Sequence, residues 1–66
     1  MKNTIRVERA IHQMTQAELA EKIQVSRQTI NAMESNKYVP STVLALKIAK
    51  LFGKSVEDIF ELEPED

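Results

Sequence analysis

Three groups of residues in this chain are of types that could carry chemistry: the lone His12, the adjacent carboxylates Glu57 and Asp58, and the polar run Ser26-Arg27-Gln28-Thr29 with Asn31. A zinc site requires three or four ligands, and one His with no Cys supplies too few. His12 is therefore expected to be an exposed helix residue. Neighbouring residues on a helix project in different directions, whereas general acid–base work needs paired carboxylates facing one cleft. Glu57 and Asp58 read instead as capping and dipole residues. A chain of 66 residues has little room for a substrate pocket of about 300 Å3 or more. No catalytic centre, metal or other cofactor is expected, and no small-molecule ligand is evident. The third group is different. A solvated helix face usually carries Glu and Lys at i, i+4, yet no acid occurs from Ser26 until Glu34.

The elements that must position that run follow from period and capping. Val7, Ala10, Ile11 and Met14 recur at i, i+3, i+4, i+7 with Ile5 beside them, which predicts an amphipathic first helix from about Thr4 to Gln13. Thr15 followed by Glu18 is a capping box, so a second helix starts there and carries Leu19, Ala20 and Ile23 inward. Ser26 is an N-cap for a third helix, Arg27 to about Ser35, anchored by Ile30 and Met33. In the loop that follows, Asn36 tolerates a left-handed backbone and Pro40 holds Val39 out of the helical region. Ser41 caps a fourth helix from about Thr42 to Phe52, with Leu44, Ala45, Ile48, Ala49, Leu51 and Phe52 on a wide apolar face and Gly53 closing it. Ser55 with Asp58 repeats the capping box and predicts a short fifth helix from Val56 to about Phe60.

Composition agrees with one small helical domain over residues 1–66. The chain has 42% hydrophobic and 29% charged residues, one Gly, two Pro and no Cys. Disulfides are excluded, and a domain this small buries only about 60% of its unfolded surface, so packing or a second subunit must make up stability. The longest apolar run is Val43 to Leu46, far short of the ~20 residues that span a bilayer, and the N-terminus has no apolar signal core. A cytoplasmic protein without a membrane partner is expected. Net charge is −1, but it is unevenly placed: residues 1–38 carry six basic and four acidic side chains, and residues 39–66 carry three and six. A basic front and an acidic tail imply different roles for the two ends.

Two helices joined by a three-residue turn, the second capped by Ser, form the arrangement of a helix-turn-helix over about residues 15–35. The segment QAELAEKIQVSRQTINAMES resembles the signature of Cro and phage-repressor type regulators, the XRE family. Gln16 opens the second helix, Ala20 lets the helices approach, Val25 plugs the turn, and Ile30 and Met33 anchor the third helix. The similarity continues through Asn36 to Ser41, through LALKIAKLFG and through VEDIF, so it covers nearly the whole chain. Short stand-alone repressors of this family, the cytolysin-operon repressor type among them, are similar overall.

The resemblance implies an all-α, five-helix lambda-repressor-like domain whose third helix enters the major groove of double-stranded DNA. Arg27 and Gln28 then match base-contacting positions, with Thr29 and Asn31 as further groove-facing candidates. Arg can bridge guanine O6 and N7, and Gln can bridge adenine N6 and N7. Gln16, Ser26, Asn36 and Lys37 match phosphate-contacting positions, helped by free N–H groups at the helix N-terminus. Arg9 and Glu34 match a pair that fixes the third helix against the first. The short members of the family also imply a terminal ribbon, here Lys2-Asn3 against Glu61-Leu62-Glu63.

Two residues depart from the pattern. Gln24 stands where the family usually has Gly, which implies a left-handed residue with a Cβ. Glu8 stands where the first helix commonly offers Leu, so that helix is expected to bury Ile5, Val7 and Ile11 instead. Val56, Ile59 and Leu62 at i, i+3, i+6 place apolar groups along one side of a dimerisation segment, about 55–63, with Phe60 turned inward. The resulting expectation is a homodimeric repressor on a palindromic operator, with no sensing domain expected and control by concentration, by a partner or by dissociation of the dimer. The competing reading is a protein-interaction module, an antitoxin or a regulator subunit with secondary DNA binding, favoured by the acidic tail and a net charge near zero.

Overall fold

Four hydroxyl side chains start four of the five helices. In the computed structural model, which describes residues 1–66, the Thr15 hydroxyl accepts the Glu18 N–H at 3.0 Å and the Glu18 carboxylate returns to the Thr15 N–H at 2.9 Å. This capping box opens α2, Gln16–Ile23. Ser26 caps α3, Arg27–Glu34; Ser41 caps α4, Thr42–Phe52; and Ser55 with Asp58 forms the second capping box at α5, Val56–Ile59. The first helix, α1, Ile5–Ile11, has no such hydroxyl: Thr4 makes no side-chain cap, and the Asn3 side-chain oxygen accepts the Ile5 N–H instead.

The first four helices all end on one device. Gln13, Gln24, Asn36 and Gly53 have φ values of 53°, 62°, 60° and 67°. The N–H of each following residue reaches back to a helix carbonyl: Met14 to Arg9, Val25 to Ala20, Lys37 to Ala32 and Lys54 to Ala49. This satisfies carbonyls that would otherwise lack partners. Only one of the four residues is Gly, so three carry the left-handed steric penalty, about 1–2 kcal/mol for a residue with a Cβ. The left-handed Gln24 expected from the sequence is present, whereas Gln13 shortens α1 relative to the expected end.

Twelve buried apolar side chains from α1 to β2 form one core, among them Ile5, Leu19, Ile30, Met33 and Ile48. The terminal ribbon is formed by β1, Lys2–Asn3, and β2, Phe60–Glu61, which pair antiparallel as Lys2 with Glu61 and Asn3 with Phe60. This corrects the expected register. Phe60 is already extended where α5 stops, and the Thr4 N–H bonds the Ile59 carbonyl at 2.9 Å, so pairing begins before Leu62.

Two expectations about packing are overturned. Val7 and Ile11 are 55% and 63% exposed, and Glu8 is buried in their place. The inward line of α1 runs through Ile5 and Glu8, at i and i+3, and Lys54 reaches the Glu8 carboxylate at 2.6 Å. His12 is exposed as expected, with its ring beside Phe52 at 5.1 Å between centroids. Ile59 is 2% exposed within a single chain. It is committed to the chain's own core and offers a second subunit almost no surface, whereas Phe60 turns inward as expected and Leu62 is 76% exposed.

Candidate nucleic-acid interface

The polar face of α3 is fastened to the rest of the bundle by one acid at its far end. Glu34 lies against α1, where Arg9 grips it with two donors: Nε to Oε2 at 2.6 Å and Nη2 to Oε1 at 3.0 Å. A fork-to-fork pair of this kind fixes orientation as well as distance. The remaining Arg9 nitrogen, Nη1, donates to the Met14 carbonyl at 3.0 Å, which also ties α1 to the approach of α2. The Glu34 side chain is only 1% exposed. Burial alone pushes its pKa up, but hydrogen bonds from Arg9 and Gln16 outweigh this and hold it below the ordinary glutamate value. The same bond raises the pKa of Arg9. Both groups stay charged.

Gln16, the first residue of α2, carries the connection forward. Its Nε2 donates to Glu34 Oε1 at 3.0 Å and approaches Asn31 Oδ1 at 3.4 Å, while its Oε1 accepts from Arg27 Nη1 at 3.1 Å. An amide can do this because it donates at one end and accepts at the other. A continuous line of hydrogen bonds thus runs from the interior through Arg9, Glu34 and Gln16 to the guanidinium of Arg27. Arg27, Gln28 and Asn31 are exposed along the outer side of α3.

Ser26 and Thr29 are placed differently from those three. The Ser26 hydroxyl accepts the Thr29 N–H at 3.1 Å and lies 2.8 Å from the Thr29 hydroxyl, so each hydroxyl is occupied in the cap. Thr29 is half-buried. Past the end of α3, Lys37 is exposed and Asn36 is held left-handed. Here the terminal ribbon intervenes: Asn3 Nδ2 donates to the Met33 carbonyl at 2.8 Å and approaches Asn36 Oδ1 at 3.4 Å. Nothing in the sequence signals that Asn3 braces this loop. Arg6 was also missed, although it lies three residues before Arg9 on the same side of α1 and so was within reach of a helical-period reading. Its Nε is 3.7 Å from Glu34 Oε1.

Comparison with known proteins decides the family. Residues 5–59 match the helix-turn-helix family, and the match is of the Cro and phage-repressor kind. The chain belongs to the XRE family of helix-turn-helix regulators. It is 54% identical over its full length to an HTH-type transcriptional regulator of Methanocaldococcus jannaschii, covering all of that protein. It is 47% identical to the regulator YgzD of Bacillus subtilis, again over the full length of both chains. A regulator from Archaeoglobus fulgidus is 47% identical, with all of this chain covering 94% of that one. For an XRE-family regulator, DNA is the partner that the exposed polar side of α3 fits, with Arg27 its one cation and no acid paired to it. No helix of the chain is long and apolar enough to cross a membrane.

Proposed function

We propose that this protein is a cytoplasmic, homodimeric repressor that reads a palindromic operator through the major groove. The observation that carries the reading is the line of hydrogen bonds from Arg9 through Glu34 and Gln16 to Arg27. It delivers a bidentate donor, already oriented, to the N-terminal end of α3, the end that reads base edges in helix-turn-helix docking. In this proposal Arg27 and Gln28 read bases, with Asn31 and Thr29 as further groove contacts and Thr29 limited to its methyl and the rim of its hydroxyl. Gln16, Lys37 and Asn36 hold phosphates, and Ser26 contributes through the backbone N–H groups at the start of α3. A buried anchor beneath a base-reading residue lowers the conformational freedom lost on binding.

Dimerisation is proposed through Val56 and Leu62, without Ile59. Supporting it are the small size of the chain, the strong exposure of Leu62, and the gain from reading two half-sites about 34 Å apart. Sedimentation at micromolar concentration tests this part: a dimer that dissociates in Leu62→Asp is expected, and a wild type that sediments as a monomer contradicts it. The DNA reading is tested by titrating a duplex from the protein's own upstream region against random duplex at several salt concentrations. The expected result is preference by about 1,000-fold or more and affinity that falls steeply with salt. Binding without preference, or insensitive to salt, would transfer the weight to the interaction-module reading.

A further inference from the structure

Two arginines face Glu34 and a third is joined to it through Gln16, and one of them, Arg6, is held only loosely. Arg9 occupies both carboxylate oxygens, and Gln16 connects Arg27 to one of them. Arg6 approaches the same oxygen, Oε1, but only at 3.7 Å, and its side chain is 74% exposed. That distance is beyond a hydrogen bond, and an ion pair with one partner so exposed contributes little to stability. None of the five guanidinium donors of Arg6 is hydrogen-bonded within the chain, and no other acid pairs with it. One buried carboxylate therefore faces two arginines directly and a third through an amide, which leaves positive charge unneutralised at this corner. The corner lies where α1, the start of α2 and the end of α3 meet, beside the base-reading side of α3.

We infer that Arg6 is a further backbone contact, which holds a phosphodiester of the DNA together with Gln16. Both side chains reach the same Glu34 oxygen, so a phosphate set over that point is within reach of both. Glu34 itself is shielded there, with almost no exposed surface to repel the anion. Arg6 leans on Glu34 in the free protein and turns outward to the phosphate, while Arg9 stays on the carboxylate. The inference rests on the DNA-binding reading and adds to it a phosphate anchor on α1.

The test compares wild type, Arg6→Gln and Arg6→Lys on the upstream duplex and on random duplex, from about 50 to 200 mM salt. Arg6→Gln should weaken both duplexes alike, roughly 3- to 10-fold at the lowest salt, and reduce the salt slope by about one unit. Arg6→Lys should restore the slope, because it restores the charge. Thermal unfolding of both variants should match wild type, since the side chain supports nothing inside. Inorganic phosphate at matched ionic strength should displace the DNA no better than chloride; stronger displacement would make this a free-anion site and overturn the inference. An unchanged slope in Arg6→Gln, with wild type still binding in a salt-dependent way, would also overturn it. A wild type that shows no salt-dependent binding at all would instead remove the DNA reading on which it rests.

Discussion

Glu8 and Glu34 are both carboxylates inside a very small protein, and they are held in different ways. Glu34 has a partner for each oxygen, two of them from one guanidinium and a third from Gln16. Glu8 has one: Lys54 Nζ sits 2.6 Å from Oε2, and Oε1 is buried with no hydrogen-bond partner. Arg9 is largely covered, at 16% exposed, while Lys54 is 43% exposed. The Glu34 pair is wired, through Gln16, to Arg27 on the face proposed to meet DNA. The Glu8 pair only fastens α1 to the turn after α4. At Glu34, which stands in line with Arg27, both oxygens are bonded; at Glu8, which fills a place in the packing, one oxygen is left without a partner. Buried pairs add little net stability compared with apolar packing, so the complete set of bonds at Glu34 is best understood as orientation, not strength.

Breaking the better-made pair should have the largest effect. Arg9→Met strands a buried carboxylate and should destabilise the fold by about 3–5 kcal/mol, read from denaturant unfolding. The same pair sets an acid limit. Its folded-state pKa lies below the ordinary value of 4.5, so the stability linked to Glu34 is fully present above that value and is lost as pH falls through the folded-state value. Acid unfolding followed by circular dichroism should therefore begin earlier on the pH scale in Gln16→Ala, which removes one of the bonds that hold the value down. No shift toward higher pH in that variant would contradict the role given to Gln16.

The looser pair should respond less, and in both directions. Lys54→Met leaves Glu8 without its only donor and should cost about 1–3 kcal/mol, less than the loss at Arg9 because water reaches that side of the pair. Glu8→Leu should do the opposite. It removes an unsatisfied buried oxygen and leaves Lys54 in solvent, so the free energy of unfolding should stay level or rise, by up to about 1–4 kcal/mol. A drop on Glu8→Leu as large as that on Arg9→Met would erase the distinction between the two sites. The smallest effect is expected at the turn between α2 and α3. Gln24→Gly relieves a left-handed residue with a Cβ but frees the unfolded chain, a balance that should be neutral to about 1 kcal/mol stabilising.

The same two residues divide what could be read from the sequence from what could not. Glu34 was legible because its partner occupies a position that recurs with it, and the caps at Thr15, Ser26, Ser41 and Ser55 were legible because a hydroxyl and its N–H target lie within three residues. Glu8 was not. Periodicity assigns charges outward, and the residue that admits Glu8 to the interior, Lys54, lies 46 positions away. Placing Glu8 inward turned Val7 and Ile11 out, which no local pattern could foretell. Ile59 failed for a related reason: apolar spacing marks a face, and only the closing of the ribbon determines that this face belongs to the chain's own core. Gln13 carries no residue-type signal for its left-handed backbone, whereas Gln24, Asn36 and Gly53 do, by position or by type. Of the proposed site, the exposure of Arg27, Gln28, Asn31 and Lys37 follows from helical period and loop position, while the half-burial of Thr29 and the bonds that join Gln16 to Arg27 and Glu34 required the three-dimensional fold.

The account depends on α3 reading bases while the loop after it only positions the protein. Competition titration of Arg27→Ala and Lys37→Ala, against a set of duplexes that each carry one base change, tests this directly. Arg27→Ala should lose about 1–3 kcal/mol on the preferred duplex and abolish discrimination at one base position, whereas Lys37→Ala should weaken every duplex alike and lower the salt slope by about one unit. Uniform loss from both substitutions, with discrimination intact at every position, would contradict the account.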